Sequence, residues 1–289
     1  MRAKPLSEPD AAAGDARPSG VPAEWQRFRY PQSLLPYVVM LSALGFVAWS
    51  CQYLRIDVER LPGLFVRIAD VLATRYFPPD VEHVLHAAYL RSVWETLQMS
   101  YLATLFGVLL AVPLAWCASF NVTPGRRLAY PCGRLAIMAC RSVHEMVWTI
   151  LLVAVFGFGM LAGTLALTLA CVGFCGKLFA EAVESVDPGP LEAMRATGAS
   201  SLQVFVFGVL PQVRVAWAGI TIYTWDVIFR SATVVGFFGA GGMGGFLRES
   251  VQRVESNQVA AILLSIIVVV LIAETFSAWA RARIARAMA

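Results

Sequence analysis

Five ionisable residues stand inside otherwise apolar stretches of this chain. They are Arg141, His144 and Glu145 in CRSVHEMVW, and Asp226 and Arg230 in WDVIFRSATVV. Burying any of them in a membrane costs several kcal/mol, so they must face a protein interior and find partners. Arg141 and Glu145 are four apart, as are Asp226 and Arg230, so each pair can close within one turn of its own helix. The same residues can line a hydrophilic route for an anion. A guanidinium offers a planar fork to oxyanion oxygens, and Ser231 and Thr233 add hydroxyls beside Arg230. Two arginines balanced by two carboxylates form no net positive well. The pattern therefore favours structural pairing with gating over tight ligation, and loose binding is what passage requires.

Three other patterns carry less chemistry. GAGGMG places Gly239, Gly241 and Gly244, with Gly242 between, in a G-x-G-x-x-G spacing. A dinucleotide fingerprint follows a β-strand and opens a helix, whereas this one follows a long apolar run. The glycines read instead as a flexible external turn, a hinge or re-entrant segment closing the outer end of a pathway, with backbone freedom as their function. His83 and His86 in EHVLHAA have H-x-x-H spacing beside Glu82, but a third ligand is lacking, and a solvated amphipathic helix is the simpler account. Cys171 and Cys175 share a helix face in an apolar run and read as small core residues. We expect no metal site and no catalytic residue. His144 and Glu145 could be proposed as the acid and base of an intramembrane enzyme, but adjacent residues do not share a helix face and no nucleophile lies in register.

The elements that must position these residues are membrane-spanning helices. The 289 residues are 58% hydrophobic and only 15% charged, against about 25% charged in an average soluble protein. A bilayer core about 30 Å thick needs roughly 20 apolar residues. Six stretches qualify, at 34–54, 92–120, 135–156, 160–179, 213–238 and 259–280. Pro113 is expected to kink the second. Residues 1–33 read as a cytoplasmic, largely disordered tail, 55–91 as an external amphipathic connector, 92–281 as the membrane core and 282–289 as a short tail. Arginines before the first span, at 126, 127 and 134, and after the last span place both termini and the 121–134 and 177–214 loops in the cytoplasm.

The loop between the fourth and fifth spans is designed to transmit force. Asp187-Pro188 caps and starts a short helix, PLEAMRAT forms it, and Gly198 stops it by turning left-handed. Ser200 or Ser201 starts a second helix toward the membrane, with Pro211 at its far end. Glu192-Ala193-Met194, then Gly198 and Leu210-Pro211, resemble the EAA loop of permease subunits of bacterial ABC importers. Met194 replaces the second alanine, and Gly208 stands where a branched apolar residue is usual. Trp225 to Gly244 and Arg141 to Trp148 resemble the fifth- and third-helix signatures of phosphonate importer permeases, with His144 where proline is common and Ile228 where a polar residue is frequent.

The resemblance covers about 92–279. It implies an all-α type I ABC importer permease fold of six transmembrane helices with a cytoplasmic coupling helix inside 181–212. It implies a bacterial inner-membrane location, and import of phosphonate or a related phosphorus oxyanion by alternating access; phosphate, methionine and betaine are the alternative cargoes. Glu192, Ala193, Met194, Gly198 and Pro211 would meet the ATPase. The expected partners are a second copy of this chain, two ATPase subunits, a periplasmic binding protein and membrane lipids, with no nucleic acid. No G-x-x-x-x-G-K-[ST] occurs, so ATP and Mg would be bound by the partner ATPases, with no cofactor in this chain.

Overall fold

The computed structural model describes residues 34–55 and 63–288. The expected tail at 1–33 lies outside the described residues. The described residues divide into two units, one ending at Phe65 and the other beginning at Val66. The first contributes α1, Leu35–Tyr53, which is apolar around its whole circumference and buries none of its residues within the chain. A helix of that kind needs lipid or another protein around it. Trp49 and Tyr53 stack at 5.5 Å near its end, the aromatic pairing expected of an interfacial anchor.

The connector holds α2, Leu64–Val71, which runs into a π-helical turn at Leu72–Tyr76 before Pro78 and Pro79 end it. A short α3, Val81–Leu85, is capped by Asp80, whose carboxylate accepts from His83 N–H at 3.3 Å. His86 is extended and begins a new helix. The H-x-x-H pair thus straddles a break and does not sit on one solvated helix, and His83 Nε2 is buried without a partner.

The core is α4, Ala87–Ala118, packed along α7, Met160–Glu184, in the most extensive helix contact of the molecule. Small residues make that approach possible, as they do in membrane bundles. A Cβ on Gly107 would overlap the Cys171 side chain. The hydroxyls buried here bond to their own helices: Thr104 to Ser100 O, Thr168 to Thr164 O and Thr224 to Ile220 O. Such back-bonding satisfies these hydroxyls within their own helices. Cys171 and Cys175 are buried packing residues, and the Cys175 thiol lies 3.1 Å from Thr224 Oγ1. Pro113 sits inside α4 only five residues before its end, where few backbone bonds remain to be lost.

Around this pair stand α5, Ala129–Ser142; α6, Glu145–Phe156; α8, Pro188–Ala196; α9, Ser201–Gln203; α10, Leu210–Val235; α11, Gly242–Gln252; and α12, Ser256–Met288. Five helical stretches among the described residues are long and apolar enough to span a membrane. The α5–α6 pair, bent by 87° at its break, makes a sixth when the two helices are counted as one span.

Three expectations are corrected. The third span is not one helix. Val143 and His144 are extended, and the His144 imidazole caps α6 by accepting from Met146 N–H at 3.3 Å. The fifth span is longer than expected, since Ser201–Ala240 is one helical run. A π segment, Val204–Val209, precedes Pro211, so the proline lies near the start of α10 rather than at a helix end. The glycine-rich turn is close-packed, not a flexible loop. A Cβ on Gly244 would strike Thr233 O, one on Gly236 would strike Gly241 O, and the chain then enters α11 directly.

Candidate functional site

The polar belt lies where the α5–α6 break meets α10. The break separates Arg141 from Glu145, so the expected pair within one turn does not form. Glu145 Oε1 instead accepts from Ser231 Oγ at 2.8 Å, tying α6 to α10. Its other oxygen is 3.5 Å from His144 Nδ1, but that nitrogen already accepts from Met146 N–H. One lone pair cannot also act as a donor, so the imidazole serves as a helix cap, not as the acid of an acid–base pair. Thr149 Oγ1 donates to Glu145 O one turn on.

Arg141 lays its stem on α7, where a Cβ on Gly173 would come within 2.6 Å of Arg141 Cγ. Its residue is exposed, and among the described residues no carboxylate lies within 4.0 Å of it. The second expected pair does form: Arg230 Nη2 donates to Asp226 Oδ2 at 3.1 Å. It is lopsided, with the Asp226 side chain 4% exposed and that of Arg230 45% exposed. Thr233 Oγ1 donates to Arg230 O and is spent on its own helix. Asp226 Oδ1 is buried with no hydrogen-bond partner, a costly state that gives the pair a spare acceptor. Asp226 is thus buried while the heads of its partner Arg230 and of Arg141 are exposed, and the Glu145 carboxylate is only partly covered. The expected balance of charge holds in number, but the most deeply buried of the four charges is a carboxylate.

At the other end of α7 and the start of α10, α8 is fixed at both ends by its own sequence. The Asp187 carboxylate accepts from Gly189 N–H at 3.0 Å. Gly198 takes φ +84°. Its N–H donates to Arg195 O at 3.0 Å, and Ala199 N–H donates to Met194 O at 3.1 Å. Those two bonds are the Schellman closure of a helix C-terminus. Ser200 then caps α9 with a reciprocal box to Gln203.

Tertiary anchors hold the same segment to the bundle. Phe205 sits among Trp116 at 5.5 Å and Trp217 at 6.2 Å, and Trp217 stacks on Phe179 at 4.5 Å. Gln212 accepts from Asp187 N–H and donates to Gly208 O. Arg195 donates to Asn121 O, which links α8 to the end of the second span. Leu191 is buried, while Glu192 and Ala193 are exposed. The two departures from the EAA pattern meet each other: a Cβ on Gly208 would come 3.1 Å from Met194 Sδ. The longer side chain occupies the volume a branched residue would fill. Sequence reading noted both departures and missed that they compensate; the signal was present in their opposite changes of size.

A bundle of long apolar helices with a short capped helix, α8, between two of its spans is the architecture of a helical membrane protein. The chain belongs to the binding-protein-dependent transport system inner membrane component family, whose model matches residues 96–289. It is 40% identical over 234 residues to the phosphite transport system permease protein PtxC of Stutzerimonas stutzeri, covering 81% of this chain and 84% of that one. It is 44% identical over 106 residues to the putative cryptic phosphonate transport system permease protein PhnE2 of Escherichia coli K12, covering 37% of this chain and 87% of that one. Among solved structures, the MetNI methionine ABC transporter in inward-facing conformations shares the fold, with a TM-score of 0.59 at 24% identity over 70% of this chain and 96% of that chain. The chain is thus an inner-membrane transport component of type I ABC importer permease fold.

Proposed function

We propose that this chain is the permease subunit of an ATP-driven importer of phosphorus oxyanions, with phosphonate and phosphite as the cargo class. The observation that carries the reading is the spatial asymmetry of the belt. Arg141 is exposed at the α5–α6 break and the Arg230 side chain is 45% exposed, while Asp226 is buried beside Arg230 and Glu145 is bound to Ser231. A tetrahedral oxyanion with a formal charge of one or two matches such forks bidentately. The similarity to phosphite and phosphonate permeases supports the same cargo.

Five or six spans of one chain enclose a pathway poorly, so two copies face each other across it. The belts of both copies then line one route. Two ATPase subunits, which hold ATP and Mg, grip the exposed Glu192–Ala193 face of α8 in each copy. Their closure moves α8, and the aromatic anchors around Phe205 and Trp217 carry that movement into α4, α7 and α10 as a rigid-body rotation. A periplasmic binding protein delivers cargo at the opposite end, beside the glycine-rich turn. Both termini lie in the cytoplasm with α8, and no cofactor resides in this chain.

The test is uptake of radiolabelled methylphosphonate and phosphite by cells whose own permease gene is deleted and replaced by this chain. Uptake that depends on the ATPase genes is the expected result. Restored growth on methionine with no phosphorus-oxyanion uptake would sink the cargo assignment.

A further inference from the structure

A second basic feature lies at the end of the bundle opposite α8. A cleft of about 410 Å³ opens between the glycine-rich turn and α11, lined by Phe158, Gly236, Gly239, Gly245, Arg248 and Gln252, with Glu249 at its side. Its floor is backbone, because the glycines place no side chains there. Gly239 has φ +114°, and a Cβ on it would run into the Phe158 ring at 2.6 Å, so the ring can lie against the turn only because this residue is glycine. Arg248 stacks over the outer side of this arrangement, its guanidinium carbon 5.0 Å from the Phe158 ring centre. Stacking fixes a guanidinium plane while leaving its N–H edge available for oxygens.

Glu249 does not neutralise it, because that carboxylate pairs with Arg253. Among the described residues no carboxylate lies within 4.0 Å of Arg248. Gln252 adds an amide on the same helix face one turn on. A preoriented, unneutralised arginine with an amide neighbour, beside a close-packed glycine turn that puts no side chain in the way, is chemistry for a small tetrahedral anion.

We infer that this cleft is an oxyanion-binding site distinct from the belt, one that receives a phosphorus oxyanion before it reaches Arg141 and Arg230. The assignment rests on the proposed cargo class. The ligand chemistry is a phosphate-like group, which a free phosphite ion and a phospholipid headgroup both supply. Two weak arginine sites in series, rather than one strong site, keep an anion moving inward, since each must release what it binds.

The test uses the purified full-length chain in dodecyl maltoside, which contains no phosphorus, with phosphite as the probe and ³¹P line broadening as the readout. In an R141Q/R230Q background, which removes both guanidinium groups of the belt and leaves its carboxylates, phosphite should still be broadened. Adding Arg248→Gln should weaken binding by about tenfold or more, as loss of a charge-assisted bond implies, and Arg248→Lys by less. Gly245→Leu provides an independent block, because nothing lies within 4 Å of a Cβ there and the side chain would fill the cleft without disturbing packing. Repeating the titration in nanodiscs containing phosphatidylglycerol separates the sources: persistent phosphite broadening identifies the free ion, and its loss identifies the headgroup. Broadening that survives both Arg248→Gln and Gly245→Leu, or that is absent before either change, overturns the site. If whole-cell phosphite uptake persists in that case, only the cleft is lost; if uptake is absent as well, the cargo class fails with it.

Discussion

The α8 lever and the mid-span belt are both polar insertions in an apolar protein, yet they are built by opposite means. Every turn of the lever is specified by neighbours in sequence: Asp187 starts it, Gly198 ends it, and Ser200 with Gln203 starts the next helix. Its helix ends are capped, and its apolar side is buried at Leu191 and Phe205. The belt is assembled from residues about 85 positions apart in sequence, Glu145 with Ser231. It leaves Asp226 Oδ1 and the Arg141 head without protein partners among the described residues. On the proposed function, the part that transmits force is the one closed by its own caps, and the part that passes an anion is the one whose pairing is unfinished.

The largest expected effect breaks the rigid side of that contrast. Gly198→Pro demands φ near −65° where the backbone has +84°. It also removes the N–H that closes onto Arg195 O. A local cost of about 3 kcal/mol falls entirely on the C-terminus of α8, so the lever should lose its geometry while the spans still insert. Uptake should drop to background with membrane abundance near wild type. Normal uptake would show that α8 is a passive surface loop. Glu192→Arg reverses charge on the exposed face without touching any buried group, and should abolish ATPase co-purification along with uptake.

Next comes the open side. Arg141→Gln removes a donor that is unpaired among the described residues, so little folding stability should change. Loss of one charge-assisted contact of about 1.5–3 kcal/mol should lower oxyanion uptake by roughly ten- to a hundredfold, and Arg141→Lys should recover part of it. Had the helix continued through 142–145, the same change would have stranded Glu145 and harmed folding. Equal loss of abundance and uptake would therefore restore the paired picture.

What sequence could and could not disclose follows the same division. The caps of α8, the stop at Gly198 and five of the six expected spans were legible because each depends on residues within a few positions. The break at Val143–His144 was not, because CRSVHEMVW has the composition of an uninterrupted helix and histidine is a modest breaker. Its position where proline is common in the family was the available hint, and as a cap it does what proline does, starting a new helix. The close packing of the glycine turn was illegible for a related reason. Glycine permits both a loose loop and the tightest possible contact, and only the neighbours of Gly236 and Gly244 distinguish them.

Asp226→Asn probes the seam between the two designs. The neutral amide keeps the shape but leaves the full charge of Arg230 with a weaker partner. The coupling between the two positions, measured against Arg230→Gln and the double variant by thermal unfolding in detergent, should be about 0.5–3 kcal/mol. A coupling near zero would mean that Arg230 is held by groups other than Asp226 and that the pair contributes nothing to the belt's asymmetry.

The smallest expected effect concerns Met194 and Gly208. A Cβ on Gly208 would meet Met194 Sδ at 3.1 Å, tighter than ordinary contact but against the mobile end of a flexible chain. Gly208→Val alone should therefore push Met194 aside and tilt α8 slightly, at about 1–3 kcal/mol for overpacking. Met194→Ala alone should leave a void over the glycine backbone and cost a comparable amount through lost burial. Together the two changes exchange volumes and recreate the usual family arrangement, so the double variant should transport better than either single one. The cycle reads uptake rather than folding, because the tilt of α8 matters for docking even where the bundle remains intact. Strict additivity would mean that the two departures from the family pattern are unrelated, and that the lever's angle is set elsewhere, by Phe205 and its aromatic neighbours.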